Sequence, residues 1–325
     1  MKLESLKRKS FPQSNLGVLK HMGKLRNLIS IHDFDREQID EILDVAASME
    51  SVSVKRSKDL ESKIMAVLFF EPSTRTRLSF ESAMLRLGGS ILGFAEAGTS
   101  SAGVKGETLA DTIRTVERYA DIIVIRHPLD GSARVAAEFS SIPVINAGSG
   151  SEEHPTQALL DLYSIKKLKG KIDGLTISLC GDLKYGRTVH SLGMGLSHYN
   201  VKIKLAAPPQ LRMKPAIIDE MKKAGVEVIQ VDDIKDAIED VDVVYMTRIQ
   251  KERFPDVREY DKVKGQFRIG SAEAELLRDD AIVLHPLPRV DELSANLDDL
   301  PQAKYFDQVY NGVILRMAVL KMILG

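Results

Sequence analysis

Short, predominantly apolar segments alternate with helix-like stretches along most of this chain, and this alternation restricts the fold more than any other feature. Such segments are typical of strands in parallel sheets, because helices cover both faces of those strands. The predicted strands occupy residues 65–70, 122–125, 143–146, 175–180, 201–206, 226–231, 241–246 and 281–284. They fall into two series, so we predict an α/β protein of two lobes, each a mostly parallel sheet flanked by helices.

The two series meet near a helix predicted around residues 155–170, where apolar residues recur at helical spacing. A chain of 325 residues is long enough for two domains of ordinary size. We therefore expect the first lobe to comprise residues 1–154 and the second to comprise residues 155–302.

The C-terminal segment predicts a further helix. Residues 305–324 are apolar on most faces, which is typical of a buried helix. We expect the segment 303–325 to return and pack on the first lobe. The alternative is a hairpin turn at Asn311 and Gly312, which the absence of alternating flanks disfavours.

The first thirty residues are basic, with seven lysines and arginines against one acid, Glu4. A mitochondrial presequence and a loosely ordered tail both fit such a segment. The lack of a long amphipathic face favours the tail. The first firm helix is predicted to begin near Asp35, which forms a capping-box pattern with Gln38.

Composition excludes several classes of function. The chain has 45 basic and 46 acidic residues, whereas duplex-binding domains carry a basic excess, so nucleic acid is not an expected partner. The longest apolar run spans seven residues, 64–70, and a membrane helix needs about 20. One cysteine, Cys180, excludes a disulfide framework and a cysteine-rich metal site. With no signal-peptide pattern, we expect a cytoplasmic protein that binds no metal and no membrane.

Polar and cationic side chains follow most of the predicted strands at their carboxyl ends. These segments are residues 71–77, 126–128, 147–150, 154–157, 181–187, 247–250 and 285–289. In open α/β sheets, ligands bind beyond the carboxyl ends of the strands. Because the donors there are largely cationic, we predict a site for an anion.

Residues 73–76 are the sharpest candidate for that site. Three hydroxyls and the guanidinium of Arg75 would stand at the first turn of a helix, where free N–H groups and the helix dipole favour phosphate. The alternative is an ordinary Ser/Thr cap with solvated arginines, and this segment alone does not decide between the two.

Two other features leave alternatives open. His127, His154 and His285 each precede a proline, which fits a strand end, although a lone histidine there is more often structural. Residues 100–106 form a small loop flanked by glycine. That loop either delivers Lys105 to a phosphate or is simply solvated.

Five segments, in order along the chain, resemble the motifs of the aspartate/ornithine carbamoyltransferase family. They are residues 70–77 (FEPSTRTR), 154–162 (HPTQALLDL), 181–188 (GDLKYGRT), 246–253 (MTRIQKER) and 285–292 (HPLPRVDE). The resemblance extends from about residue 24 to the C-terminus. It implies a carbamoyl-group transferase of pyrimidine biosynthesis that uses carbamoyl phosphate and needs no cofactor.

Within the family, the chain is similar to the members that use aspartate. Members that use ornithine typically carry His-Cys-Leu-Pro where this chain has residues 285–288, and Ser-Met-Gly where it has residues 248–250. Arg187 and Arg248 suit a dicarboxylate and not a cationic acceptor. The resemblance thus implies transfer to the α-amine of L-aspartate. The alternatives are an ornithine-type transferase and a catalytically silent scaffold.

The resemblance also implies roles in the first substrate site. The phosphate would be held by Ser73, Thr74, Arg75 and Thr76. The carbonyl oxygen would be contacted by Thr76, Arg126 and His154, which with Lys105 form the implied catalytic set. The carbamoyl amine would be held by Gln157 and by the backbone carbonyls of Pro286 and Leu287. The peptide bond between Leu287 and Pro288 is expected to be cis.

The second substrate site is implied in the same way. The aspartate would be held by Lys105, Arg187, Arg248, Gln250 and Leu287. In this family, loop residues that match Ser101 and Lys105 reach the carbamoyl phosphate of the neighbouring subunit. The resemblance therefore implies a homotrimer with shared active sites, and it leaves open whether regulatory chains bind.

One segment departs from the family pattern. Residues 150–153 (GSEE) are more acidic than the polar stretch that is common there. We expect Glu152 and Glu153 to place two negative charges near the anion site without altering the chemistry.

Overall fold

The computed structural model describes residues 25–95, 105–254 and 256–325. Within these ranges, nine strands form two separate sheets, and all neighbouring strands are parallel. The tail predicted for the N-terminus lies outside the described residues up to position 24, as do residues 96–104. No helix in the described ranges has both the length and the apolar character needed to cross a membrane.

The first sheet contains four of the described strands. They are β1 (Ile64–Phe69), β2 (Ser90–Phe94), β3 (Ile122–His127) and β4 (Val144–Ser149). Their order is β2-β1-β3-β4, so the chain starts at the centre and builds outwards in both directions. The flanking helices are α1 (Arg36–Lys55), α2 (Thr74–Arg86), α3 (Leu109–Val116) and α4 (Ser132–Phe139).

Helix α1 begins where the capping pattern predicts. The backbone N–H of Gln38 donates to Asp35 Oδ1 at 2.9 Å, and the N–H of Asp35 donates back to Gln38 Oε1 at 2.9 Å. The apolar stripe of the helix is buried at Ile39, Ile42 and Leu43. This cap and this stripe together fix the start of the helix and the face that it turns to the core.

The second sheet follows helix α5 (Pro155–Lys169). Its strands are β5 (Thr176–Cys180), β6 (Lys202–Ala206), β7 (Glu227–Val231), β8 (Val243–Met246) and β9 (Ile282–Leu284). Their order in the described residues is β7-β6-β5-β8-β9. The connecting helices are α6 (Arg187–Leu196), α7 (Pro215–Lys223), α8 (Ile234–Ile238), α9 (Val257–Val263) and α10 (Ser271–Ala274).

The last helix, α11 (Tyr305–Leu324), returns to the first lobe and packs against α1, α2 and α5. Its apolar residues are buried on most faces, which confirms the predicted helix and excludes the hairpin at Asn311 and Gly312. One large apolar core lies between the two sheets, and a smaller one covers the outer face of each. Each sheet is therefore covered on both faces, which confirms the predicted two-lobed α/β fold.

Strand β4 (Val144–Ser149) extends three residues beyond its predicted end at residue 146. Two further elements differ from the prediction. The sequence pattern did not indicate β2, an edge strand whose Ser90 and Gly93 are exposed. A β-carbon at Gly93 would lie 2.0 Å from the carbonyl oxygen of Val67, so only glycine lets the two strands approach here. Strand β3 also runs further than predicted, and Arg126 therefore belongs to the strand instead of following it.

Candidate active site

A cavity of about 460 Å³ lies at the carboxyl ends of both sheets. It is bordered by residues that end or follow β1 and β3 in one sheet and β5 and β8 in the other. Between each of these pairs the strand order reverses direction, which leaves a crevice because the adjoining connections run to opposite sides. The volume falls in the range of about 300–1,000 Å³ that small-molecule sites occupy.

Most of the predicted site residues line this cavity. The first lobe contributes Ser73, Thr74, Arg75, Thr76 and Arg126. The start of α5 contributes His154 and Gln157. The second lobe contributes Arg187, Arg248, Gln250, Pro286 and Leu287. Lys105 is exposed and does not line it, and Ser101 lies outside the described residues.

The N-terminus of α2 opens into the cavity. Ser73 precedes the helix with an extended backbone, and its side chain makes no capping hydrogen bond. The hydroxyl is therefore not used as an ordinary cap, and the first backbone N–H groups of the helix have no intrahelical acceptor. Burial and the nearby Arg248 lower the pKa of Arg75, which shows how closely cations from the two lobes approach.

Cations outnumber anions in the described lining of the cavity. Five arginines stand against one carboxylate, that of Glu71: they are Arg75, Arg126, Arg187, Arg248 and Arg316. Glu71 Oε1 lies 2.7 Å from Arg126 Nη2 and 3.1 Å from Arg187 Nη2, so it joins the two lobes. Burial and Arg187 lower the pKa of Arg126 to about 10, and burial also lowers the pKa of Arg187. The remaining positive charge suits a ligand with several negative charges.

The end of β4 lets these arginines come together. Arg126 Nη1 donates to the carbonyl oxygen of Ala147 at 3.3 Å, and Arg187 Nη1 donates to that of Gly150 at 2.5 Å. Gly148 lies between them with φ +110°, and a β-carbon there would stand 3.0 Å from Arg126 Nη1 and 3.2 Å from Arg187 Cζ. A glycine is needed at this position both for its backbone and for the space beside it.

His154 is buried where the two lobes meet. Its Nε2 lies 3.4 Å from Thr76 Oγ1, and its backbone N–H donates to Ser191 Oγ at 3.0 Å. Its Nδ1 has no hydrogen-bond partner among the described residues. Burial, reinforced by Arg187 and Arg126, lowers the pKa of His154 well below its usual value. The imidazole is therefore neutral near pH 7 and combines one N–H donor with one acceptor.

The acidic stretch before His154 does not place two charges at the anion site as expected. Glu153 turns away from the cavity: its Oε1 accepts from Ser30 Oγ at 2.5 Å and its Oε2 accepts from the N–H of Ile31 at 2.9 Å. Glu152 is exposed and lies outside the lining. The carboxylate of Glu153 therefore anchors the segment before α1, because its two oxygens satisfy that segment's donors.

The loop after β9 is held in shape by a buried pair. His285 Nδ1 accepts the N–H of Leu287 at 2.8 Å, so its Nε2 carries the proton and donates to Glu292 Oε1 at 2.7 Å. The Leu287–Pro288 bond is cis, as predicted, and Leu287 has φ +54°. His285 thus has a structural role, which was the alternative for a histidine before proline. The pair fixes the direction of the carbonyl groups in this loop.

A second buried carboxylate shapes the loop after β8. Asp182 receives the backbone N–H of Gln250 on Oδ2 at 3.3 Å, and its own N–H donates to Thr247 Oγ1 at 3.1 Å. Thr247 Oγ1 in turn donates to the carbonyl of Cys180 at 3.0 Å. The chain around Arg248 and Gln250 is therefore tied to the end of β5, which aims both residues at the cavity.

Sequence reasoning did not identify two buried residues of the cavity lining. Arg316 lies on α11, donates from Nη1 to Ser79 Oγ at 2.8 Å and stacks its guanidinium over Phe80. Gln308, also on α11, donates to Asp161. The signal for Arg316 was present, since it is the one cation in the apolar run 313–320. In the described chain, no group of three or more His, Cys, Asp or Glu side chains is arranged to hold a metal ion.

Two protein-family models match the chain. Residues 26–167 match the carbamoyl-phosphate-binding domain of aspartate/ornithine carbamoyltransferases, and residues 173–323 match the aspartate/ornithine-binding domain. The aspartate carbamoyltransferase catalytic subunit of Thermococcus kodakarensis is 56% identical over 93% of this chain and 98% of its own length. That of Methanopyrus kandleri is 54% identical over 92% of this chain and 97% of its own.

Solved structures agree with these matches. The catalytic subunit of M. jannaschii aspartate transcarbamoylase superposes with a TM-score of 0.86 at 51% identity, covering 92% of this chain and 98% of that one. The Trypanosoma cruzi aspartate transcarbamoylase in complex with carbamoyl phosphate and aspartate has a TM-score of 0.88 at 39% identity, covering 92% and 97%. The similarity therefore extends over both lobes.

Proposed function

Because this chain belongs to the aspartate/ornithine carbamoyltransferase family, we propose that the cavity between its two sheets is where a carbamoyl group is transferred. The enzyme transfers the carbamoyl group of carbamoyl phosphate to the α-amine of L-aspartate, giving N-carbamoyl-L-aspartate and phosphate. The reaction belongs to pyrimidine biosynthesis. The observation that supports this site best is the excess of arginine over carboxylate around a cavity of substrate size.

The charges of the substrates match this lining. Carbamoyl phosphate carries about two negative charges near pH 7, and aspartate with a neutral amine carries two more. The arginines come from both lobes, so each substrate meets cations on its own side of the cavity. Such matching holds two anions side by side, which like charges would otherwise oppose.

Carbamoyl phosphate binds mainly to the first lobe. Its phosphate is held by the α2 N-terminus, namely Ser73, Thr74, Arg75 and Thr76. Free N–H groups and hydroxyls there donate to phosphate oxygens, and the Arg75 fork adds charge-assisted bonds. The carbamoyl amine faces Gln157 and the carbonyl groups of Pro286 and Leu287. Those carbonyls are aligned by the His285–Glu292 pair.

Aspartate binds mainly to the second lobe, against Arg187, Arg248, Gln250 and Leu287. Arg187 and Arg248 pair with its two carboxylates. The hydrogen bond from the Gln250 N–H to Asp182 holds the loop that carries Arg248, and this sets the distance between the two arginines. A cationic acceptor such as ornithine would meet these guanidinium groups with its own positive charge. This repulsion makes aspartate the favoured acceptor.

The reaction is a direct attack of the α-amine on the carbonyl carbon, so no protein nucleophile is needed. Thr76, Arg126 and His154 surround the carbonyl oxygen and stabilise the negative charge that develops there. The depressed pKa of His154 keeps its imidazole neutral, so it acts as a hydrogen-bond donor and not as a proton reservoir. The leaving phosphate accepts the amine proton. Holding both substrates in one cavity supplies the orientation, worth up to about 7–11 kcal/mol.

The working unit is a homotrimer in the cytoplasm. Lys105 is exposed and lies outside the cavity of its own chain, which supports its reaching a neighbouring active site together with Ser101. Lys105 then places a positive charge beside both substrates in the active site of that neighbouring subunit. We assign residues 1–154 and 303–325 to the carbamoyl-phosphate lobe and residues 155–302 to the aspartate lobe.

The acceptor is tested by measuring phosphate release from carbamoyl phosphate with L-aspartate and, separately, with L-ornithine. Release with aspartate alone, together with a ureido product, is expected because of the arginines in the second lobe. Release with ornithine would contradict the roles given to Arg187, Arg248 and Gln250. Release with neither acceptor, from a folded protein, would contradict the function itself.

The shared site is tested by mixing two inactive variants, Arg75→Ala and Lys105→Ala. If each cavity takes Arg75 from one subunit and Lys105 from the next, random trimers of an equal mixture restore about one quarter of the sites. Activity near a quarter of the wild-type value supports the trimer. If both residues acted in one chain, mixing would restore nothing.

A further inference from the structure

Asp161 lies on α5 one turn after Gln157 and is completely buried. Its Oδ1 accepts from Gln157 Nε2 at 2.9 Å and from Gln308 Nε2 at 2.6 Å. Its Oδ2 accepts from Tyr245 Oη at 2.8 Å. One carboxylate therefore binds donors from α5, α11 and β8, beneath the floor of the cavity. Neither the mechanism above nor the sequence motifs give it a role.

The direction of the Gln308 amide is fixed by the backbone. Gln308 Oε1 accepts the N–H of His285 at 2.8 Å, and a backbone N–H can only donate. The NH₂ group of Gln308 must therefore point at Asp161, which makes Asp161 Oδ1 an acceptor in this network.

The orientation of the Gln157 amide follows from the acceptor role of Asp161 Oδ1. Asp161 Oδ1 accepts from Gln308 whether or not the carboxyl group is ionised, because a proton would lie on Oδ2, which faces Tyr245 Oη. Gln157 must therefore also present its NH₂ group to Asp161 Oδ1. Its carbonyl oxygen is then left for the cavity that Gln157 lines. Without an acceptor at Asp161, nothing would prevent the amide from turning over and presenting NH₂ to the cavity.

We propose that Asp161 is a positioning residue that determines substrate specificity: by orienting the Gln157 amide, it makes the cavity select an amine donor over a methyl group beside the reacting carbonyl. The proposal rests on the proposed function, because Gln157 meets the carbamoyl amine only if carbamoyl phosphate is the substrate. Asp161 itself touches no substrate. It acts through Gln157, whose oxygen accepts the carbamoyl N–H.

The Asp161 carboxylate is also connected to the other proposed acceptors of the carbamoyl amine, the carbonyl groups in the loop after β9. Through Gln308 it is connected to the backbone of His285, which begins the loop that carries the carbonyls of Pro286 and Leu287. Asp161 is therefore connected to both sets of acceptors, through Gln157 on α5 and through Gln308 to the loop after β9. A group without N–H donors would leave both sets unpaired, which is the most effective way for a site to reject an isostere.

The probe pair is carbamoyl phosphate and acetyl phosphate, which carries a methyl group in place of the amine. Their dissociation constants are measured by calorimetry without aspartate, and their ratio is the selectivity. Asp161→Leu removes the acceptor, and the selectivity is expected to fall about tenfold or more through weaker binding of carbamoyl phosphate alone. Asp161→Asn keeps an oxygen towards Gln157 and Gln308 and is expected to retain the selectivity.

Ser164→Ala is the matched control, because it removes another buried hydrogen bond between α5 and α11, from Asn311 Nδ2 to Ser164 Oγ at 3.0 Å, and leaves the Gln157 bond to Asp161 Oδ1 intact. A purely structural role predicts the same loss of selectivity in Ser164→Ala, whereas positioning predicts none. If Asp161→Leu does not fold, Asp161→Ser replaces it, since its shorter side chain withdraws the acceptor from Gln157. Unchanged selectivity in the Leu or Ser variant at position 161, or an equal loss in Ser164→Ala, overturns the proposal.

The activity of the wild-type protein distinguishes a wrong role for Asp161 from a wrong proposed function. If the wild-type protein forms carbamoyl aspartate and the variants keep their selectivity, the role of Asp161 is wrong and the function stands. If the wild-type protein neither forms carbamoyl aspartate nor prefers carbamoyl phosphate to acetyl phosphate, both fail.

Discussion

Lowering the pH from 6.5 to 5.5 is expected to destabilise the folded protein, because three histidines are buried where they hold a proton poorly. His154, His190 and His285 are 4%, 6% and 1% exposed, and burial lowers the pKa of each. An unfolded histidine takes up a proton with a pKa of about 6.5. Protonation therefore favours the unfolded chain, and stability falls as the pH drops through this value.

The size of the loss follows from proton linkage. A folded histidine that stays neutral over the whole interval costs about 1 kcal/mol, which sets an upper limit of about 3 kcal/mol for the three. Asp161 acts in the opposite sense, because burial raises its pKa to about 7. The folded state gains a proton there that an unfolded aspartate, with a pKa of about 3.9, does not, which returns about 1 kcal/mol. The expected net loss of stability is therefore at most about 2 kcal/mol.

Urea unfolding followed by circular dichroism at the two pH values, at one protein concentration, measures this difference. His190→Gln keeps a donor for the carbonyl of Leu183, which lies 2.8 Å from His190 Nε2, and should reduce the loss by up to about 1 kcal/mol. Asp161→Asn should increase the loss by about 1 kcal/mol. A free energy of unfolding that stays constant or rises between pH 6.5 and 5.5 would refute the reasoning, as would a loss that His190→Gln leaves unchanged.

Three substitutions test the cavity and its surroundings. Arg75→Ala should lower kcat/KM for carbamoyl phosphate about 10²–10³-fold with an unchanged urea transition, and Arg77→Ala on the same helix is its matched control. Gly148→Ala, in which the new methyl group crowds the Arg126 guanidinium, should lower kcat at least about tenfold, and full activity would contradict the packing described there. Glu153→Ala removes the acceptor of the segment before α1, so urea unfolding should show about 1–3 kcal/mol less stability while kcat stays within about twofold.

The strands were predictable because their sequences leave few alternatives. A wholly apolar segment such as that of β1 is buried on both faces, and this occurs in parallel sheets covered by helices. Strand β2 lies at a sheet edge, where exposed residues are tolerated, so its sequence does not reveal it. Its Gly93 would suggest a turn, whereas the structure uses the missing side chain for contact with Val67.

The site was predictable to the extent that it follows from strand ends. The carboxyl ends of parallel strands lie at one edge, so polar residues after several strands had to meet. Pairings between distant residues carry no local signal: Glu71 and Arg187 are 116 positions apart, and Asp161 and Gln308 are 147 apart. The same holds for Glu153, whose charge points to the anion site in the sequence but anchors residue Ser30 in the structure.

Helix α11 also has a consequence for the order in which the protein matures on the ribosome. The second lobe is encoded between two parts of the first, and α11 supplies buried core residues such as Ile314, Leu315 and Leu320. The lobe that is translated first therefore lacks part of its core until residues 305–324 have been synthesised, when the described strands of the second sheet are already complete. A stop after residue 304 would leave those strands in place and remove the helix that completes the first lobe, so the lobe that is begun first is finished last.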